Sequence, residues 1–160
     1  MKSTSWFEML FDTDDSNVIA FQRIVAGIVF FPHGAQKLLG WFGGYGFEGT
    51  MGFFTGTMGI PAFFAFLAIM AEFFGSLGLI TGLLTRVSAF ALTVNMLVAI
   101  FTTHIANGFF MNWTGQQAGE GFEYHLLALA ILLVLFVKGA GNFSIDKILA
   151  GKNKNKLAKD

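Results

Sequence analysis

The sequence contains no cysteine and few charged residues for a chain of 160 amino acids. The absence of cysteine excludes disulfide bonds, thiol catalysis and thiolate metal sites. Charged residues make up 12% of the chain, whereas a soluble domain carries roughly 25%. The formal net charge is zero, so composition gives no electrostatic basis for binding nucleic acid. The chain therefore has too little polar surface to coat a globule in water.

Apolar residues make up 54% of the chain, which includes 21 Phe and 20 Gly. Glycine is frequent in transmembrane helices because it lets backbones approach closely. Four apolar stretches are long enough to cross about 30 Å of hydrocarbon, namely residues 18–39, 61–83, 86–106 and 122–138. Four in succession disfavour the alternative that each is a core helix of a soluble protein. We therefore predict an all-α integral membrane fold, a bundle of four transmembrane helices within residues 18–150.

Residues 1–17 are polar and acidic. A secretory signal instead begins with basic residues and has a shorter apolar region. We therefore expect residues 1–17 to be a retained cytoplasmic segment.

Basic residues are distributed unevenly along the chain. Residues 147–159 include five lysines, and Arg86 lies between the second and third apolar stretches, whereas segments 41–60 and 107–121 contain no Lys or Arg. Cytoplasmic loops carry an excess of Lys and Arg. With an even number of spans, both termini and Arg86 are predicted to lie on the cytoplasmic side.

Segment 41–60 reads WFGGYGFEGTMGFFTGTMGI, which is too rich in glycine for a stable helix and too aromatic for a fully solvated loop. We predict that it lies at the outer membrane interface, either as an anchor or as a lid over a ligand cavity. Segment 107–121, which contains Trp113, is predicted to lie there too.

The C-terminal region has the features of a short helix after the fourth span. Gly139 and Gly141 are expected to end that span. Ser144 is a candidate N-cap, and Asp146 is favourable near the positive end of the next helix. We predict a short amphipathic helix over residues 145–150, followed by a basic, disordered tail over residues 151–160.

The first span carries three residues that are costly in hydrocarbon, where a charge at the helix centre costs about 2.5–3.5 kcal/mol. Arg23 and Lys37 share a helix face with Gly27 and Gly34, and His33 lies at its border. This face is expected to point into the bundle. The alternative is that the two cations extend to opposite interfaces.

Glu72 lies near the middle of the second span, beside a stripe of small residues at 71, 75, 78 and 82. We expect it to be buried and either protonated or paired with a cation, with Arg23 as the best candidate. A structural ion pair and a site for a ligand or proton both remain open.

The third and fourth spans also carry polar residues. Asn95, in mid-span, is predicted to hydrogen-bond between helices. His104, Glu123 and His125 share the outer depth with His33 and Lys37, and the sequence does not fix whether they converge. The candidate ligand or proton-relay residues are Arg23, His33, Lys37, Glu72, Asn95, His104, Glu123 and His125.

The histidine spacing does not favour a metal site. No two of the three histidines are three or four residues apart, and Glu123 and His125 point to different sides of a helix. We predict no metal site and find no nucleotide-binding or hydrolase motif. A proton-accessible polar pocket is favoured, because histidine titrates near neutral pH.

Four segments together resemble the DoxX family. They are RIVAGIVFFPHGAQKL at 23–38, Glu72 with GLITGLLTR at 78–86, GFEYH at 121–125, and GAGNFSID at 139–146. They cover about residues 20–150. The resemblance implies a small four-helix protein of the bacterial inner membrane. The family often has Gly-Pro-Gly where this chain has Gly139-Ala140-Gly141, which affects the turn. The polar residues carried over are Arg23, His33, Lys37, Glu72, Arg86, Glu123, His125, Ser144 and Asp146.

Members of this family are linked to respiratory-type oxidoreductases, including a membrane subunit of thiosulfate:quinone oxidoreductase, and to redox-stress complexes. The first hypothesis is therefore a membrane subunit that binds quinone, or another apolar ligand, and works with a redox partner subunit. The alternatives are a non-enzymatic scaffold and a small proton-coupled transporter, which would need a homo-oligomer. Arg86, Ser144 and Asp146 are assigned structural roles, with an Arg86–Asp146 pair locking the C-terminal helix to the turn before the third span.

Overall fold

The computed structural model describes the backbone of residues 6–157 and the side chains of residues 6 and 9–151. Within that part of the chain the regular structure is entirely helical, as predicted. Parts of two predicted segments, residues 1–5 and 158–160, lie outside the described residues. The helices are α1 Trp6–Phe11, α2 Asn17–Leu39, α3 Gly46–Gly52, α4 Ala62–Thr81, α5 Thr85–Ala99, α6 Glu123–Lys138 and α7 Ile145–Leu157.

Two of these helices continue into wider turns. α3 passes into a π-helical turn at Phe53–Thr57, and α5 passes into another at Ile100–His104. The expectation that segment 41–60 is too glycine-rich for a helix is therefore wrong. The segment packs against α2, and a Cβ on Gly44 would collide with the backbone of Gln36. Tertiary packing thus overrides the low helix propensity of glycine.

Helices α2, α4, α5 and α6 pack in a ring, and each runs antiparallel to its neighbours. Their shared core consists of Ala26, Phe30, Leu79, Ala89, Leu92, Met96, Ala128, Leu132 and Leu135.

Glycines fix the register between α2 and α4. A Cβ on Gly34 would lie 2.6 Å from the Cα of Phe73, and one on Gly27 would lie 2.8 Å from the backbone of Ile80. Only glycine permits this approach, so the predicted inward face of α2 is confirmed. The small-residue stripe of α4 likewise faces α5, because Gly75 meets Leu92 and Gly78 meets Ser88.

Three helical stretches, Asn17–Leu39, Ala62–Thr81 and Thr85–Asn107, are long and apolar enough to cross a membrane. They agree with the first three predicted spans. α6 coincides with the fourth predicted span, but its 16 residues make it shorter than each of these three stretches.

The bundle has two ends that differ in their contacts. The arginine end contains Arg23, the α4–α5 turn and residues 139–146. The loop end contains α3, residues 108–122 and the first turn of α6. α7 begins where predicted and runs to Leu157, beyond the predicted end at residue 150. Residues 151–157 continue the helix that Ser144 caps.

Candidate ligand site

Arg23 is fully buried at the arginine end, where backbone carbonyls surround its guanidinium. Nε donates to the carbonyl of Ala140 at 2.8 Å, and Nη2 donates to Phe143 at 2.9 Å. Nη1 donates to the carbonyls of Leu79 and Ile80. Arg23 therefore joins α2 to the end of α4 and to the turn before α7. The protein encloses its side chain completely, and the predicted Arg23–Glu72 pair is wrong.

Asp146 holds α7 against the α4–α5 turn, though not through the predicted partner. Its two carboxylate oxygens accept the backbone N–H groups of Leu84 at 2.7 Å and Thr85 at 2.9 Å. Arg86 instead donates to the carbonyls of Phe136 and Val137 at the end of α6. The Arg86–Asp146 pair is therefore wrong. Oγ of Ser144 accepts the N–H of Lys147, which confirms the predicted cap.

Glu72 pairs with Lys37 on the side of α4 that faces α2. Oε1 of Glu72 lies 2.8 Å from Nζ of Lys37, and the residue is 7% exposed. The register explains this partner. Because Gly34 packs against Phe73, Lys37 lies about one helical turn from Glu72, whereas Arg23 lies near the far end of α4.

Asn95 makes the predicted contact between helices. Its Nδ2 donates to the carbonyl of Ala68 on α4 at 2.8 Å. This carbonyl belongs to a helix backbone, so the bond fixes α5 against α4 beside the Lys37–Glu72 pair.

The rings of two histidines are in contact at the loop end. The rings of His104 and His125 lie 4.1 Å apart between centroids, at an angle of 43°. Nδ1 of His104 lies 2.8 Å from the carbonyl of Glu120, which fixes a proton on that nitrogen. His125 is 6% exposed, and its Nδ1 is buried without a hydrogen-bond partner. The pair therefore includes one nitrogen that no described residue satisfies.

These side chains surround a cavity of about 350 Å³ between the helices. Six of the eight candidate residues line it, and Arg23 and Glu123 do not. The polar lining residues are His33, Lys37, Glu72, Asn95, Thr102, Thr103, His104, Glu120, Tyr124 and His125. Most of the remaining wall is apolar, and it includes Phe30, Phe53, Phe54, Met58 and Met96.

Glu123 fastens the loop that covers this end of the bundle. Its Oε1 accepts the N–H of Met111 at 2.9 Å and Nε1 of Trp113 at 3.2 Å. The sequence did not single out two lining residues, Glu120 and Tyr124. Tyr124 lies inside the GFEYH segment, and its phenol within an apolar stretch is the signal that could have identified it.

The histidine pair does not have the geometry of a metal site. The two rings are tilted by 43° in direct contact, whereas imidazoles that bind one ion approach it from separate directions at about 2.0–2.1 Å. Among the described side chains, those of residues 6 and 9–151, no group of three or more His, Asp or Glu could hold a metal ion.

Comparison with known proteins identifies relatives along most of the chain. The DoxX family profile matches residues 18–105. The chain is 31% identical over 133 residues, 83% of its length and 87% of the relative's, to "Putative oxidoreductase CatD" of Bacillus subtilis (strain 168). It is 33% identical over 130 residues, 81% of its length and 90% of the relative's, to "Inner membrane protein YqjF" of Escherichia coli (strain K12). No solved structure matches the chain.

Proposed function

We propose that this chain, which belongs to the DoxX family of membrane proteins, is the membrane subunit of an oxidoreductase system. We propose further that it binds a quinone head group in the cavity at the loop end. The name of the relative CatD supports a role in an oxidoreductase system, and the name of the relative YqjF supports a location in the inner membrane.

The proposed topology has four spans, with both termini and the arginine end on the cytoplasmic side. α6 is about 24 Å long, but it runs through the same bundle as the three longer helices. Arg86, Lys138 and Lys147 lie at the arginine end, whereas segments 41–60 and 107–121 at the loop end contain no Lys or Arg. This distribution supports the orientation, because cytoplasmic loops are enriched in basic residues.

The observation that carries the proposal is that the ring of His125 lines the cavity while its Nδ1, itself enclosed, has no hydrogen-bond partner among the described residues. A buried polar group without a partner costs about 1–3 kcal/mol, and nearly all such groups in native proteins are satisfied. Two other such atoms, Oγ1 of Thr85 and Nε of Arg86, belong to residues that do not line the cavity. A ligand that turned the ring of His125 and bonded this nitrogen would remove that cost. The empty volume beside it supports such a ligand.

A quinone fits the residues that line the cavity. Its carbonyl oxygens accept hydrogen bonds, and the hydroxyls of its reduced form donate them. Lys37 can donate, and His125 can do either according to its tautomer. Phe30, Phe54 and Met96 provide apolar contacts for a ring, and ligand pockets of this kind have volumes of about 300–1,000 Å³.

A bound quinone would supply two-electron, two-proton redox chemistry, and the residues of this chain would hold and orient it. His104 and His125 would exchange protons with the head group, because an imidazole ring carries one nitrogen that donates a proton and one that accepts it. The chain contains no cysteine and we assign it no electron carrier. The proposal therefore requires a partner subunit with a flavin, haem or dithiol group.

The test is quinone recovery from the full chain purified in a mild detergent. We expect quinone to be extracted from the wild type and from Glu48→Gln, an exposed position outside the cavity wall. His125→Phe keeps a ring beside His104 but removes both nitrogens, so we expect its recovery to fall severalfold. Wild-type protein that neither retains nor binds added quinone would contradict the proposal and favour the scaffold hypothesis.

A further inference from the structure

The two π-helical turns, Phe53–Thr57 and Ile100–His104, both contribute to the cavity wall. Phe53 and Phe54 line it from the first turn, and Thr102 and His104 line it from the second. π-Helical turns are rare and occur frequently at functional sites. Here both are next to the same cavity.

Some lining residues are also on the outside of the bundle, which locates an opening. Phe53 is 48% exposed and Val98, in the last turn of α5 before its π-helical turn, is 43% exposed, although both line the cavity. The first π-helical turn has open space on the side of its glycine, because a Cβ on Gly56, or on Gly52 just before the turn, meets nothing within 4 Å. The wall between Phe53 and Val98 is therefore open at the side of the bundle.

In the proposed topology, this side opening lies at hydrocarbon depth. Val98 is 13 residues beyond Thr85 at the arginine end, which is about 20 Å along α5. The hydrocarbon core of a bilayer is about 30 Å thick, so an opening at Val98 faces lipid tails.

Hydrogen bonds close the end of the bundle but do not bridge its side. At the end, His104 and Asn107 both bond the carbonyl of Glu120, which fastens the covering loop. At the side, the hydroxyls of Thr55 and Thr102 bond back to their own helices, at Met51 and Val98. Within the described residues, no hydrogen bond joins the two π-helical turns. The less obstructed route into the cavity is therefore through the side.

We propose that the cavity opens laterally into the bilayer between the two π-helical turns and takes a ligand whose apolar chain remains in the lipid. This inference rests on the proposed function and specifies the class of quinone. The polar groups of Lys37, Glu72 and His125 would hold the head group inside the bundle. The chain would leave past Phe53 and Val98, which makes an isoprenoid quinone the expected ligand rather than a water-soluble aromatic compound.

The test compares two quinones and two matched tryptophan variants in lipid vesicles. Val98→Trp places a large side chain at the opening. Val94→Trp is the control, because Val94 is also 43% exposed and lies one turn away on α5, outside the cavity wall. Binding is measured for a long-chain isoprenoid benzoquinone and for its tail-less analogue. Thermal unfolding of both variants checks that they fold alike.

We expect the wild type and Val94→Trp to bind the long-chain quinone with equal affinity. Val98→Trp should lose about tenfold in affinity for it, equivalent to about 1.4 kcal/mol, while its affinity for the tail-less analogue changes little. Equal losses for both quinones, or no loss in Val98→Trp, would overturn the lateral opening but leave the proposed function standing. Failure of the wild type to bind either quinone would overturn both.

Discussion

Arg23 and His125 lie at opposite ends of this bundle and are buried in opposite ways. At the arginine end, every nitrogen of the Arg23 guanidinium donates to a backbone carbonyl, and the side chain fills the space around it. At the loop end, Lys37 and Glu72 face a cavity, and Nδ1 of His125 has no partner. Elsewhere at the arginine end, Oγ1 of Thr85 and Nε of Arg86 are also buried without a hydrogen-bond partner among the described residues, but neither residue lines the cavity.

The difference separates structure from function. A buried polar network that is fully satisfied makes a fold rigid, whereas an unsatisfied group beside free volume requires an explanation, which the proposed ligand would supply. Arg23 and His125 are both costly to bury in an apolar bundle, so their residue types alone do not distinguish them. Their hydrogen-bond partners do, and the following variants test that distinction.

The largest effect is expected for Arg23→Met, which keeps the apolar stem and removes the guanidinium. At least four carbonyls, including those of Leu79, Ala140 and Phe143, would lose their donor. Each buried acceptor left without its donor costs about 1–3 kcal/mol, so the loss of several donors at once makes this the largest expected effect. Thermal unfolding in detergent measures this loss. A variant as stable as the wild type would show that the arginine end does not hold the bundle together.

Glu72→Gln should destabilise the protein by about 1–3 kcal/mol, because it removes the charged partner of Lys37 inside the bundle. Glu48→Gln is the control and should change the free energy of unfolding by less than about 0.5 kcal/mol, because Glu48 is exposed. Quinone retention should fall with Glu72→Gln only. Equal behaviour of the two variants would contradict the assignment of Glu72 to the site.

Asp146→Asn should loosen α7 from the α4–α5 turn. Asparagine replaces one of two acceptor oxygens with an NH₂ group that faces the N–H of Leu84 or Thr85. We expect faster proteolytic cleavage within residues 142–157 and a loss of about 1–3 kcal/mol in the free energy of unfolding. Cleavage at the wild-type rate would indicate that α7 is held by other contacts.

The smallest effect is expected for Asp14→Asn, which breaks a surface ion pair at the arginine end. Oδ2 of Asp14 lies 3.1 Å from Nζ of Lys138, and about half of each side chain is exposed. Exposed pairs contribute about 0.2–1 kcal/mol and are screened by salt. A loss in the free energy of unfolding comparable to that of Arg23→Met would mean that surface charges stabilise this end, and not the hydrogen bonds of its buried polar groups.

Features that depend on local pattern could be predicted from the sequence. Apolar length located the helices that became α2, α4, α5 and α6, the residue types around Ser144 identified its cap, and small residues identified the contact face of α4. Each of these depends on neighbours within a few positions along the chain. The hydrogen bond of Asn95 between helices could also be predicted, because a side-chain amide within an apolar helix must find a partner.

Features that depend on the register between helices could not be predicted. The partner of Glu72 is Lys37 because Gly34 fits against Phe73, a contact between residues 39 positions apart. Asp146 and Arg86 are near each other but find backbone partners instead. Segment 41–60 becomes helical because α2 packs against it, which its composition does not indicate. The roles of Glu123 and Tyr124 likewise depend on how the loop over residues 108–122 folds back.

The most direct test of the difference between the two ends is the shift in unfolding temperature when isoprenoid quinone is added to wild type and to His125→Phe. A ligand that binds only the folded protein stabilises it by about 2.7 kcal/mol at a hundred times its Kd. We predict that quinone raises the unfolding temperature of the wild type and has little effect on His125→Phe, whose stability without ligand stays close to that of the wild type. No shift in the wild type, or equal shifts in both proteins, would contradict the assignment of the unsatisfied histidine to a ligand.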